Sequence, residues 1–164
     1  MVAPEARLAM MQQLSREAGA RGMVAGQQFD LDAEGHMADL EALKQMHSLK
    51  TGALLDCSLH LGALQDPSYP NYRTQLSEFG QLIGLMFQVQ DDILDIESDT
   101  ETLGKPQGSD EINDKSTYPK FLGLAGAKTL RDQLHQHARD TLKNLPICND
   151  FFEDLTQYIV QRKY

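Results

Sequence analysis

Positive charge is scarce in this chain. Fifteen Lys and Arg stand against 24 Asp and Glu in 164 residues, a net charge of −9 with neutral His. Nucleic acid is therefore not expected as a partner, because gripping a phosphate backbone needs a basic surface. Cysteine occurs only at Cys57 and Cys148. Neither belongs to a CxxC pair, so a zinc site is not expected and reduced thiols are. No run approaches the roughly 20 apolar residues of a membrane-spanning helix. The opening MVAPEARLAMMQQL has no basic segment leading into an apolar core, so the expected setting is cytoplasmic rather than secretory. Strand-length alternation with hairpin chemistry, internal repeats and low-complexity tracts are missing too. So are the nucleophile elbow GxSxG, the phosphate loop GxxxxGKS/T and the dinucleotide loop GxGxxG.

What is present is 41% apolar and 24% charged, ordinary for a single domain that buries a core. The periodicity predicts an all-α chain. Helical patterns run over residues 4–21, 39–62, 72–97, 117–145 and 151–162, with a glycine break at 123–126. A glycine-punctuated segment, GMVAGQQFDLDAEG, follows the first of them. The turn QDPSYPNY and a polar loop over 102–115, with Gly104 and Gly108, separate the later ones. The methionines at 10, 11, 23, 37, 46 and 86 are expected as core filler.

The most informative stretch is FQVQDDILDIESDTETLGK, residues 87–105. It sets Asp91, Asp92 and Asp95 inside an apolar helical run. Asp91 and Asp95 are four apart on one face, with Asp92 beside them. Such like charges repel by roughly 0.2–0.5 kcal/mol per exposed pair, and by more when shielded from water. The face therefore calls for a cation. Gly84, Gln88, Asp91, Asp95 and Asp99 form a stripe without large apolar groups; Leu82, Leu85, Val89, Ile93 and Ile96 are expected to face the core. Carboxylates meeting a phosphate-bearing substrate suit magnesium, a hard ion that keeps several waters. Taken alone, a solvated acidic face on a surface helix accounts for the same pattern.

Three lysines stand beside glycines or hydroxyls that bind phosphate oxygens: Lys50 before Thr51 and Gly52, Lys105 after Gly104, and Lys115 before Ser116 and Thr117. Singly, each reads as a surface lysine. His36, His47 and His60 are scattered, and His135 and His137 point to different sides of a helix. None is expected to be catalytic.

Taken in order, these segments resemble the trans-type polyprenyl synthases, most closely the bacterial short-chain members of the farnesyl and geranyl diphosphate synthase kind. QDDILD with TLGKPQGSDEINDKST is similar to the second aspartate-rich motif and its loop. AGQQFDLDAEG resembles the G-Q-x-x-D-L segment, HSLKTGALLDCSLHLGA the Lys-Thr helix, and YIVQRKY the basic C-terminal end. The resemblance covers nearly all of residues 1–164. It implies the C-terminal part of the isoprenoid synthase helical bundle. The implied activity is a prenyltransferase joining an allylic diphosphate to isopentenyl diphosphate by Mg²⁺-assisted ionisation. It also implies roles. Asp91, Asp92 and Asp95 would hold Mg²⁺, with Asp110 supporting from behind. Lys50 and Lys105 would grip the diphosphate. Thr51 and Gln88 would turn oxygens toward the allylic cation. Gln27 and Asp30 would line the cavity, and Lys115 would sit at its rim.

The chain departs from the family in one respect: nothing in it matches the first aspartate motif with its following arginines. The expectation is a C-terminal half, inactive alone, with apolar surface left open around Met86 and Phe87 and hence a homo-oligomer or a partner for the missing half. A truncated, non-catalytic partner subunit of a complete synthase and a class I terpene cyclase relative are the competing readings.

Overall fold

Helix starts follow local chemistry. Pro4 opens α1 (Pro4–Ala18) in the first turn, where a missing N–H costs nothing. After α2 (Met23–Asp32), the Asp39 carboxylate caps α3 (Leu40–His47) by accepting from the Ala42 N–H at 2.7 Å. A π-helical turn, Ser48–Gly52, joins α3 to α4 (Ala53–Ala63) without a break in direction. Asp66 accepts from Ser68 N and Oγ at 2.8 and 2.6 Å and from the Tyr72 hydroxyl at 2.7 Å. That knot starts α5 (Tyr69–Glu97) three residues before the sequence pattern does, because Pro70 falls in the first turn, where proline is tolerated. The Thr117 hydroxyl caps α6 (Tyr118–Lys143), and α7 (Asp150–Gln161) completes the order. The structure, a computed structural model, describes residues 2–33, 39–97, 115–147 and 149–163. Among the described residues every regular element is helical, as expected. The glycine break in α6 is Gly123, whose φ of 70° bends the helix.

Helix α5, about 43 Å long at 1.5 Å per residue, is the axis of the core. Phe79, Ile83, Met86, Val89 and Ile93 of α5 pack with Tyr118, Ala127, Ala138 and Leu142 of α6, all at most 2% exposed. Full burial of each large apolar side chain contributes roughly 1.5–3 kcal/mol. Three expectations need correction. Of the stripe expected to face the core, Val89 and Ile93 are buried and Leu82 and Leu85 are half-buried against the core, but Ile96, at the end of α5, is 42% exposed. Met86 is fully buried beneath α6 and Phe87 is half-buried, so neither opens an apolar surface. Exposed apolar side chains among the described residues include Leu8, Met11 and Leu14 on α1, a helix with no buried residue, Val24, Phe29 and Leu31 on α2, and Phe151 and Tyr158 on α7. Met11, at 67% exposure, is accordingly not core filler, whereas Met46 and Met86 are.

Glycines let the π turn sit in the middle of the bundle. A Cβ on Gly26 of α2 would lie 2.1 Å from Lys50 N, and one on Gly84 of α5 would lie 2.9 Å from Gly52 Cα. Backbone meets backbone at both crossings, so neither neighbour can yield as a flexible side chain would. Gly26→Ala is expected to destabilise the fold by about 1–3 kcal/mol, the usual cost of overpacking, as read from chemical denaturation. An unchanged midpoint would show that α2 moves off the π turn without penalty.

Candidate active site

The π turn fixes the first group of candidates. Its widened backbone carries Lys50 and Thr51, both half-buried, in the kind of helix distortion that recurs at functional sites. Lys50 Nζ donates to Asp30 Oδ2 of α2 at 2.6 Å, with the two side chains 30% and 16% exposed. Asp30 in turn lines a cavity of about 310 Å³ between α2, α3 and the start of α6, together with Phe29, Met46, Lys115 and Ser116. Asp30 and Lys115 thus line one cavity, with Lys50 paired to Asp30 beside it. Gln27 is exposed on α2.

The aspartates lie along α5 beyond that crossing. Gly84 touches Gly52; Gln88 is one turn further on, and Asp91, Asp92 and Asp95 follow. Their surroundings differ. Asp92 and Asp95 are 8% and 3% exposed. Asp92 Oδ2 accepts from the Tyr118 backbone N–H at 2.8 Å. Asp91, with a side chain 45% exposed, accepts from the Arg162 guanidinium. As arranged here, Asp91 and Asp92 turn to separate partners, and among the described residues no three carboxylate, imidazole or thiol groups converge on one metal position. Lys105 and Asp110, with Asp99 of the predicted stripe, lie outside the described residues.

Tyr118 and His47 link the two groups, and neither was singled out in the sequence. Tyr118 is fully buried, and its hydroxyl lies 3.4 Å from His47 Nδ1, with ring centroids 5.5 Å apart. Burial raises the Tyr118 hydroxyl's pKa well above its usual value, with Asp92 adding to the effect. Burial, followed by the nearby Lys50 ammonium, lowers His47 to about 4. His47 is therefore neutral at pH 7, one helical turn before Lys50. The sequence signals were weak: a tyrosine just after the Lys115 loop, and a histidine on an apolar face.

The polyprenyl synthetase family model matches residues 2–155. The chain belongs to the polyprenyl synthetase family. It is 43% identical over 164 residues to farnesyl diphosphate synthase of Haemophilus influenzae, covering 99% of this chain and 55% of that one. It is 44% identical over 160 residues to the Escherichia coli farnesyl diphosphate synthase, covering 95% and 54% respectively. Its fold matches that of a geranyltransferase from Helicobacter pylori, solved in complex with magnesium and isoprenyl diphosphate. The TM-score is 0.83 at 27% identity, over 98% of this chain and 52% of that one. This polyprenyl synthetase chain thus spans about half the length of the curated relatives it matches. The all-helical architecture expected from the resemblance is the one observed.

His47 gives the pH dependence a sign. Its folded-state value lies below the ordinary 6.5, so below that pH the unfolded chain takes up a proton that the folded chain refuses. Stability is expected to fall as pH drops from about 6.5 toward 4, by about 3 kcal/mol at most from this group. His47→Phe should flatten that part of a Tm-against-pH curve; an identical slope in the variant would assign acid lability to other groups.

Proposed function

We propose that this chain supplies the diphosphate-releasing half of a prenyltransferase that joins an allylic diphosphate to isopentenyl diphosphate, of the farnesyl or geranyl diphosphate synthase type. The observation that carries the reading is the aspartate face of α5 set beside the lysine-bearing π turn by the Gly84–Gly52 crossing. It is supported by relatives of that activity at 43% and 44% identity.

The donor chemistry fits magnesium: one or two of these carboxylates, Asp92 and Asp95 buried and Asp91 half exposed, plus substrate phosphate suit a hard ion without needing three to converge. Asp91, Asp92 and Asp95 would hold it, and when bound it would supply charge to stabilise the departing diphosphate. Lys50, oriented by Asp30, supplies an ammonium for the phosphate oxygens, with Lys115 at the cavity beside it. Electrostatic stabilisation of a charge-separating step is commonly the largest catalytic term. Thr51 and Gln88 present oxygen dipoles toward the developing allylic cation. Apolar walls keep water from quenching it. Tyr118 fixes the Asp92 carboxylate through its N–H. Lys105 and Asp110 keep the diphosphate-gripping and supporting roles that the resemblance gives them. The free, buried thiol of Cys57 supports a reducing, cytoplasmic setting, and among the described residues no helix is long and apolar enough to cross a membrane.

A second reading follows from α1. Its uncovered Leu8, Met11 and Leu14 favour a partner, either another copy or a complete synthase to which this chain docks without turning over substrate. Light scattering separates the arrangements. A self-associated species supports the first, co-purification with a full-length relative supports the second, and a monodisperse monomer that captures neither overturns both.

The purified 164-residue chain is expected to form no farnesyl diphosphate from dimethylallyl and isopentenyl diphosphates. Fusion to the N-terminal portion of the Haemophilus influenzae relative should restore turnover. In that fusion Asp91→Ala should lower kcat by at least about 10²-fold, as for other losses of transition-state charge stabilisation. An unchanged rate removes Asp91 from the site, and robust synthesis by the chain alone overturns the half-enzyme reading.

A further inference from the structure

The acidic face of α5 already has a cation beside it, drawn from the far end of the chain. At the end of α7 the backbone turns extended at Arg162, with φ −60° and ψ 149°. Its N–H still donates to Tyr158 O at 2.8 Å. The Arg162 carbonyl accepts from Gln90 Nε2 at 3.4 Å, and Gln90 Oε1 accepts from Arg131 Nη1 of α6 at 3.1 Å. Gln90 is itself 3% exposed, so the residue is pinned between α5 and α6 through its main chain. Its side chain then reaches back along α5. The guanidinium carbon stands 4.1 Å above the Phe87 ring centroid, Nη2 donates to Phe87 O at 3.3 Å, and the same nitrogen pairs with Asp91 Oδ1. The Arg162 side chain is 8% exposed, deeply covered for a terminal arginine.

We propose that Arg162 is a built-in stand-in for the metal at Asp91: a C-terminal latch that neutralises this carboxylate in the metal-free state and must let go before a divalent ion can use it. The inference rests on the reading of Asp91 as a metal ligand. Its physical basis is competition for one anion. Guanidinium stays charged at every working pH, so the latch needs no proton to close. Its Nη2 serves Asp91 and the Phe87 carbonyl together while the guanidinium face lies on the ring. A hydrated divalent ion at the same carboxylate would bring a second cation against the first, in a pocket where Arg162 is largely shielded from water. The latch therefore lowers the fraction of molecules ready to take metal, and apparent metal affinity falls by that fraction. It also answers the like-charge repulsion between Asp91 and Asp95 while no metal is bound.

The test is Mn²⁺ binding by the 164-residue chain, read from the EPR signal of the free aqua ion, for wild type, R162Q, R162K and D91N. R162Q should bind Mn²⁺ about threefold to tenfold more tightly than wild type, the range set by one partly shielded charge-assisted pair. R162K keeps the charge but loses the flat stack on Phe87, and should fall between the two. D91N should bind more weakly. Weakened D91N with unchanged or weakened R162Q and R162K overturns the latch and leaves Asp91 as a ligand. Unchanged D91N removes Asp91 from the metal site and the latch with it. Absence of Mn²⁺ binding in all four proteins overturns both.

Discussion

Close approach of the π turn to α2 and α5 governs where the candidate groups lie. Gly26 lets the Lys50 backbone rest on α2, and Gly84 lets Gly52 rest on α5. Any side chain at either glycine would force backbone apart, since backbone is what it would meet. From those two contacts the rest follows by helix geometry. Lys50 projects toward Asp30 on one side. On the other, the turn after Gly84 carries Gln88, and the next carry Asp91, Asp92 and Asp95. Loss of a crossing would misplace a lysine, a threonine and three carboxylates relative to one another, although none of them had changed.

Burial divides the three aspartates into different working states. Asp92 is held by a backbone N–H from the start of α6, so its orientation is a property of the core. Asp95 is almost wholly buried. Asp91, nearly half exposed, is the one reached by a residue from the chain's end. A face that looks uniform as a sequence pattern is therefore graded from fixed to adjustable. The adjustable member is the one against which an internal cation is set. Neutral His47, in tilted ring contact with Tyr118, adds no charge that would compete with Lys50.

Much of the fold and part of the site was legible in the sequence. Proline placement and apolar periodicity located most of the helices, but α5 starts earlier, because Pro70 begins a helix there rather than ending one, α1 stops at Ala18, and the glycine-punctuated segment after it holds α2. The order of the Lys-Thr, aspartate and basic-tail segments was enough to suggest the family. The buried faces were less legible. Leu82 and Leu85 repeat with the right period and pack against the core, yet only partly buried, while Met86 and Val89 are buried fully. Periodicity shows that a helix has an apolar side, not which neighbour claims it.

Residue identity and spacing along α5 determined that three carboxylates share one helix surface and repel, because helix geometry is local and depends only on separation along the chain. They determined equally that Lys50 and Thr51 are adjacent. Only the tertiary structure decided what answers each charge. Asp30 lies 20 positions from Lys50, Tyr118 lies 26 from Asp92, and Arg162 lies 71 from Asp91. Pairings over such separations are chosen by which backbones can pack together. For Lys50 and Asp30 that choice rests on Gly26, whose importance lies in what its absent side chain would strike.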